Sequence, residues 1–209
     1  MKVVAEFVTS ADGPAGFPRE GLPELAMVGR SNVGKSTLIN ALLRQPLART
    51  SAAPGKTRLA NYFRVRAEGL PLFFLVDLPG FGYARGGEAA QREFERLAQG
   101  YFGRIVPDGG SPVVGAFQLV DSRHPGLDSD RHAWAWLGTL GVTRHAVATK
   151  LDKLTRAERQ RHLRELERVH EGPVLPVSAA TGEGLDELWT TIARLLRQPP
   201  PKDRPPTRP

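Results

Sequence analysis

The stretch "GRSNVGKST", residues 29–37, decides how this chain is read. It matches the pattern G-x-x-x-x-G-K-[ST] and stands between "LAMV" (25–28), a short apolar run with strand character, and "KSTLINALLR" (35–44), whose apolar residues recur at helical spacing. Strand, glycine loop and helix in that order cradle phosphate. The glycines allow several backbone N–H groups to point at one spot, and the helix N-terminus adds positive potential there. Gly29, Asn32, Val33, Gly34, Lys35, Ser36 and Thr37 are therefore the candidate phosphate-binding residues, with Lys35 bridging the terminal phosphates and Ser36 ligating magnesium. A chance match to this pattern in a chain of such length is on the order of one in a hundred, and the flanking strand and helix make it rarer.

Outward from this loop the chain alternates. "VVAEFV" (3–8) reads as a strand, and "GPAGFPREGLPE" (13–24) as a turn-rich connection. After the first helix, "PLARTSAAPGKTR" (46–58) has neither periodicity and reads as an exposed loop, followed by "NYFRVRAE" (61–68), whose alternation predicts an edge or half-buried strand. "LPLFFLVD" (70–77) is a buried strand, 88–105 a helix, 113–121 a strand, and 128–140 a helix with its tryptophans turned inward. Strand 144–150, helix 155–170, strand 173–178 and helix 184–198 complete the series. This order predicts an α/β fold: a mainly parallel sheet flanked by helices on both faces, with ligands at the carboxyl ends of the strands. Residues 1–24 then form a strand and connection packing on a central domain of residues 25–198, and the Pro/Arg-rich "PPPKDRPPTRP" (199–209) cannot form regular structure.

Bulk properties narrow the setting. The 209 residues, 40% hydrophobic, suit one compact domain with appendages. There is no cysteine, so a disulfide framework and a thiolate metal site are both excluded. Glu6 interrupts what would be the core of a signal peptide, and no run approaches the roughly 20 apolar residues of a membrane span, which predicts a soluble cytoplasmic protein, a monomer with no membrane partner. Twenty-nine Lys and Arg against 22 Asp and Glu give +7, a balance that suits either a polyanionic partner or a merely arginine-decorated surface. The five histidines form no ligand pattern; His124 reads as a loop residue and the others as surface or helix positions.

Three further motifs fall at strand ends. In "DLPGFGYA" (77–84), Asp77 ends a buried strand where its carboxylate can reach a magnesium-bound water, and the amide of Gly80 can sense a γ-phosphate. In "TKLD" (149–152), Asp152 can accept from the ring N–H and the exocyclic amine of guanine together, which adenine cannot match, while Lys150 lays its stem over the base. In "SAATGEG" (178–184), after the last strand, the amide of Ala179 can meet the guanine oxygen. Thr57, with Pro54 and Gly55 in the loop "PGKTR", is the hydroxyl available to complete the magnesium shell. The ligands so read are GTP and GDP with Mg2+.

Taken together, "GRSNVGKST", "ARTSAAPGKTR", "DLPGFGYA", "DSRHPG", "TKLDK" and "SAATGEGLDELW" resemble the EngB (YihA/YsxC) ribosome-biogenesis GTPases, bacterial relatives of the Ras-like P-loop G domains. The likeness spans nearly the whole chain except the proline-rich tail; one departure from most G domains is Thr149, where they carry asparagine. The resemblance implies a GTPase that binds the large ribosomal subunit, its RNA and proteins, late in assembly in the GTP state, leaves after hydrolysis, and has no DNA partner. A basic helix around Arg156, Arg159, Arg161 and Arg164 is consistent with this, though Glu158, Glu165 and Glu167 interleave it.

Phe81 stands where many Ras-like enzymes place the glutamine that orients water, so intrinsic turnover is expected to be slow. The resemblance points to Asn32 as the handle for a potassium ion that replaces an arginine finger; an asparagine in a loop also readily bonds its own backbone. A nucleotide-gated binding module for a cell-division (septation) or membrane partner, a P-loop kinase or ATPase, and a transfer-RNA-modifying or iron-transport GTPase are the rival readings. "TKLD" weighs against adenine, and no extra domain or membrane span accompanies the motifs.

Overall fold

The computed structural model describes residues 1–48, 59–81, 87–105 and 110–198, with the backbone only for 87–91. Its strands are β1 (Val3–Ala11), β2 (Glu24–Gly29), β3 (Ala60–Ala67), β4 (Phe73–Asp77), β5 (Val113–Asp121), β6 (Arg144–Thr149) and β7 (Val174–Pro176). Its helices are α1 (Lys35–Leu43), α2 (Gly87–Phe102), α3 (Asp128–Thr139), α4 (Arg156–Val169) and α5 (Leu185–Arg197).

The strands form one sheet in the order β1-β3-β4-β2-β5-β6-β7. From β4 to β7 the pairs are parallel, and β3 and β1 add antiparallel neighbours at one side. Among the five parallel strands the second and first in chain order stand side by side before the third. The topological switch therefore lies between β2 and β5, where open α/β sheets bind their ligands. Every one of the five ends toward the same rim, carrying Gly29, Asp77, Asp121, Thr149 and the start of the 178–184 loop.

Alternation along each strand sorts the apolar residues to the two faces. Leu25, Met27, Phe73 and Leu75 face the core under α1 and α5, whereas Ala26, Val28, Phe74 and Val76 face the one under α2 and α3. A smaller cluster of Val120, Ala146, Ala148, Leu166 and Val174 seats α4. The two tryptophans of α3 are half-buried, Trp134 against the α4 cluster and Trp136 against the α2 side. Among the described residues no helix is long and apolar enough to cross a membrane.

Three local expectations need correction. Of the two readings of 61–68, the edge one fails, because β3 lies between β4 and β1 and β1 is the edge; the half-buried one fits, with Arg64 part-exposed and Arg66 exposed. β4 begins at Phe73 because Pro71 cannot donate to the ladder. His145 sits half-buried in β6 rather than on a helix or an open surface, whereas His170 does lie at a helix end, as the C-cap of α4, and is buried with its Nδ1 2.8 Å from the carbonyl of Leu166.

Candidate functional site

The loop between β2 and α1 opens on Arg30 and closes on Gly34, which takes φ +106°, a conformation favouring glycine, as the residue preceding α1. No side chain caps the first turn of α1, so its N–H groups face the loop's interior. Lys35 is buried, and its ammonium donates to the buried carboxylate of Asp77 at the end of β4. Ser36 is half-buried one residue further along, while Asn32 is exposed at φ +61°.

The segment after Asp77 is zipped against the same loop. Phe81 N–H donates to the Gly29 carbonyl and Ser31 N–H to the Phe81 carbonyl, both at 3.3 Å. Gly80 crosses so close that a Cβ there would lie 2.8 Å from the Ser31 nitrogen. That approach demands glycine. The Phe81 ring turns away into the core, 6.0 Å from the Phe94 ring. It is both the wrong chemistry and pointed the wrong way to orient water.

The base-pocket motifs converge on the other side of the loop. Thr149 Oγ1 donates to the carbonyl of Val33 at 2.6 Å and lies 3.1 Å from that of Val120. Lys150, at φ +60°, donates to the Asn32 carbonyl at 2.6 Å and to Asp121 Oδ2 at 2.9 Å. Ser178 Oγ donates to Asp152 Oδ1 at 2.7 Å. That bond is the foremost reason the Asp152 carboxyl sits below its ordinary pKa, leaving an ionised acceptor. Gly34, Thr37, Leu38, Thr149, Lys150, Asp152, Lys153, Val177, Ala179 and Ala180 line a cavity of about 190 Å³ beside the phosphate loop. Leu38, Val177, Ala179 and Ala180 give it apolar wall, and Thr37, Thr149, Lys150, Asp152 and Lys153 supply the polar side chains.

The residues singled out in the loop, at Asp77 and Gly80, and at 149–152 and 178–179 thus gather at one rim. Pro54, Gly55 and Thr57 lie outside the described residues. Sequence reasoning missed Asp121, which ends β5 as Asp77 ends β4. Burial opposes its charge, but bonds from Arg123 and Lys150 outweigh that and hold its carboxyl well below the usual carboxylate range. An aspartate closing a buried strand was the available signal. Also missed was Arg30, which ties the loop to α3 by donating to buried Asp130 at 3.1 Å.

Among the described residues no three His, Asp or Glu side chains cluster as a protein-only metal cage. The Ser36 hydroxyl and the Asp77 carboxylate are oxygen donors beside the loop, and such a pair fits magnesium, which usually completes its shell with water and substrate phosphates.

Residues 24–106 match a family model described as a 50S ribosome-binding GTPase. The chain is 40% identical over 227 residues to a probable GTP-binding protein EngB of Symbiobacterium thermophilum, covering 92% of this chain and 95% of that one. It is likewise 40% identical over 195 residues to the protein of the same description from Pelotomaculum thermopropionicum, covering 91% and 94%. In fold it is similar to the crystal structure of a probable GTP-binding protein engB, with TM-score 0.64 and 24% identity over 83% of this chain and 98% of that chain. It is also similar to Era in complex with MgGDPNP and a segment of 16S ribosomal RNA, with TM-score 0.69 and 23% identity over 86% of this chain and 58% of that one. A glycine loop between strand and helix, a cavity beside it with Asp152 in its wall, and relatives at this identity over nearly their whole length lead to one conclusion: the chain belongs to the EngB family of GTP-binding proteins, P-loop GTPases that hydrolyse GTP to GDP.

Proposed function

We propose that this GTPase binds the large ribosomal subunit late in its assembly while it holds GTP, and leaves after hydrolysis, acting as a monomer in the cytoplasm with no DNA or membrane partner. The observation that carries the nucleotide half is the bond from Ser178 to Asp152 at 2.7 Å, which fixes an ionised carboxylate on the wall of a cavity beside the phosphate loop. The ribosomal half is supported by the description of the family model and by the +7 charge.

In this reading residues 25–198 are the nucleotide-binding unit, 1–24 pack on it, and 199–209 are an appended tail. Gly29 and Asn32 to Thr37 grip the phosphates, Lys35 reaches the terminal ones, and the amide of Gly80 senses the γ-phosphate. Asp152, Lys150, Ala179 and Ser178 select and seat guanine, and Thr149 braces the loop. Magnesium would be held by Ser36 and Thr57, and through water by Asp77; when bound it neutralises charge on the β- and γ-phosphates. Pro54 and Gly55, in the same segment as Thr57, belong to the proposed nucleotide-binding set.

Phe81, at the position where many Ras-like enzymes carry a water-orienting glutamine, is apolar and buried away from the loop. Turnover by the free protein is therefore slow, and two additions raise it: potassium held near Asn32, whose backbone is already turned to φ +61°, and ribosomal contacts that order the 46–58 loop.

The test is sedimentation with purified large subunits in GDP or a non-hydrolysable GTP analogue, with turnover measured in potassium and in sodium, with and without subunits. Binding confined to the GTP analogue and turnover raised by subunits and by potassium are expected. Fast, cation-indifferent turnover by the isolated protein would overturn the catalytic part. Absence from the pellet in both nucleotide states would turn the reading toward a non-ribosomal partner.

A further inference from the structure

α4 carries five arginines and three glutamates. At 3.6 residues per turn, Arg161, Arg164 and Arg168, spaced i, i+3 and i+7, fall on one stripe. All three are exposed, while Leu166 on the opposite side is buried in the sheet-facing cluster.

Two of the three glutamates that interleave these arginines in sequence are turned elsewhere in space. Glu158 closes the first turn, accepting from the N–H and the hydroxyl of Thr155, both at 2.8 Å. Glu165 lies on the α3 side, beside Gly126 and Arg131. Arg159, which is not on the stripe, is the member of the helix that pairs, with Glu183 at 2.9 Å. Among the described residues Arg161, Arg164 and Arg168 make no ion pair; Arg161 approaches the His162 ring at 3.2 Å. The three thus form an exposed guanidinium stripe without an ion pair among the described residues, with Glu158 close enough to Arg161 to feel its charge and Glu167 exposed on the flank.

The stripe is rigidly presented. The Thr155 cap fixes the start of α4, Leu166 its middle, and a 2.8 Å contact from His162 Nδ1 to the Ser122 carbonyl ties it to the loop after β5. It points away from the sheet and includes no residue of the phosphate loop or of the 77–81 segment.

We propose that this face of α4 docks on RNA, with Arg161, Arg164 and Arg168 each binding a backbone phosphate of ribosomal RNA; the proposal rests on the ribosomal reading above. A guanidinium offers paired donors that match phosphate oxygens. Three of them spread over about 10 Å of helix rise face a polymer that carries one negative charge on every backbone phosphate. Phosphate contacts of this kind position a protein and set its salt dependence without reading sequence. Because the face lies apart from the phosphate loop, it adds the same affinity in either nucleotide state, and the switch segments supply the difference between states.

The experiment compares the wild type, the R161Q/R164Q/R168Q variant and a K2Q/R19Q/R66Q control that removes equal charge from exposed positions far from α4. The probes are purified large-subunit ribosomal RNA and purified large subunits, titrated from 50 to 200 mM salt with nucleotide fixed, and GDP binding serves as the check on folding. Three lost phosphate contacts should flatten the salt dependence, so that the wild type loses about 20- to 40-fold more affinity over that range than the α4 variant, the limits set by single-strand and duplex slopes. The control should keep the wild-type slope, and GDP affinity should be unchanged throughout.

A wild-type slope for the α4 variant on both probes would overturn the docking face while leaving the ribosomal reading intact. Equal flattening in the control would overturn it in favour of net charge. Loss of subunit binding with unchanged RNA binding would overturn it in favour of a ribosomal protein as the contact. If the wild type itself binds neither probe in any nucleotide state, the reading beneath the proposal fails with it.

Discussion

Thr149 shows how much one hydroxyl can hold. Most G domains have asparagine here, with a carboxamide that offers two donors and an acceptor. Thr149 has a single proton, so it serves one carbonyl at a time, and the 2.6 Å contact to Val33 is the shorter of its two. That bond ties the end of β6 to the loop between β2 and α1. Thr149→Val keeps the shape and removes the donor, leaving a buried carbonyl without its partner at a cost of about 1–3 kcal/mol. We expect that cost to be divided between stability and nucleotide affinity, seen as a lower urea midpoint and weaker GDP binding by calorimetry. Unchanged values in both measurements would show that the loop needs no brace at this point. The identity of Thr149 and its place at a strand end were legible in the sequence; its partners, 116 and 29 residues away, were not, since no local pattern encodes them. Phe81 is similar: its apolar nature was readable, while its burial against Phe94 depends on the parallel bridge between Arg30 and Phe81.

At the scale of elements, the sequence encodes starts and stops better than neighbours. α4 is the clearest case. Thr155 and Glu158 have capping-box spacing, and both reciprocal bonds form, Glu158 accepting from the Thr155 N–H and Thr155 accepting from the Glu158 N–H. Thr155→Ala should therefore cost about 1 kcal/mol, lowering the melting temperature by about 2–4 °C for a domain of this size. Thr155→Ser should restore most of it, and equal melting of all three proteins would remove the cap as a determinant of α4. The parallel order around β2 was legible as a class, because strands alternating with helices leave few other solutions. The place of β3 was not. Its alternating pattern fits a strand with one wet face, and only the pairing of Val3–Ala11 along its free edge makes it interior.

For the whole molecule the open question is whether the first 24 residues are an attachment or part of the same cooperative unit. Phe17 decides it. It lies in the connection between β1 and β2, yet is buried in the core under α2, with its ring 5.9 Å from Tyr62 and 6.0 Å from Tyr101. The Arg104 guanidinium lies 4.7 Å from the same ring and bonds Glu24, so one aromatic side chain joins the N-terminal connection, β3, and the end of α2. Truncating it opens a cavity that these rigid neighbours cannot close, and Phe17→Ala should cost about 3–5 kcal/mol. If residues 1–24 fold with the nucleotide-binding unit, urea unfolding of the variant stays a single transition, with a lower midpoint and an unchanged slope, by both fluorescence and circular dichroism. A loss below about 1 kcal/mol would not fit burial of this ring, and a separate early transition would mean that the N-terminal strand docks after the sheet it borders has already formed.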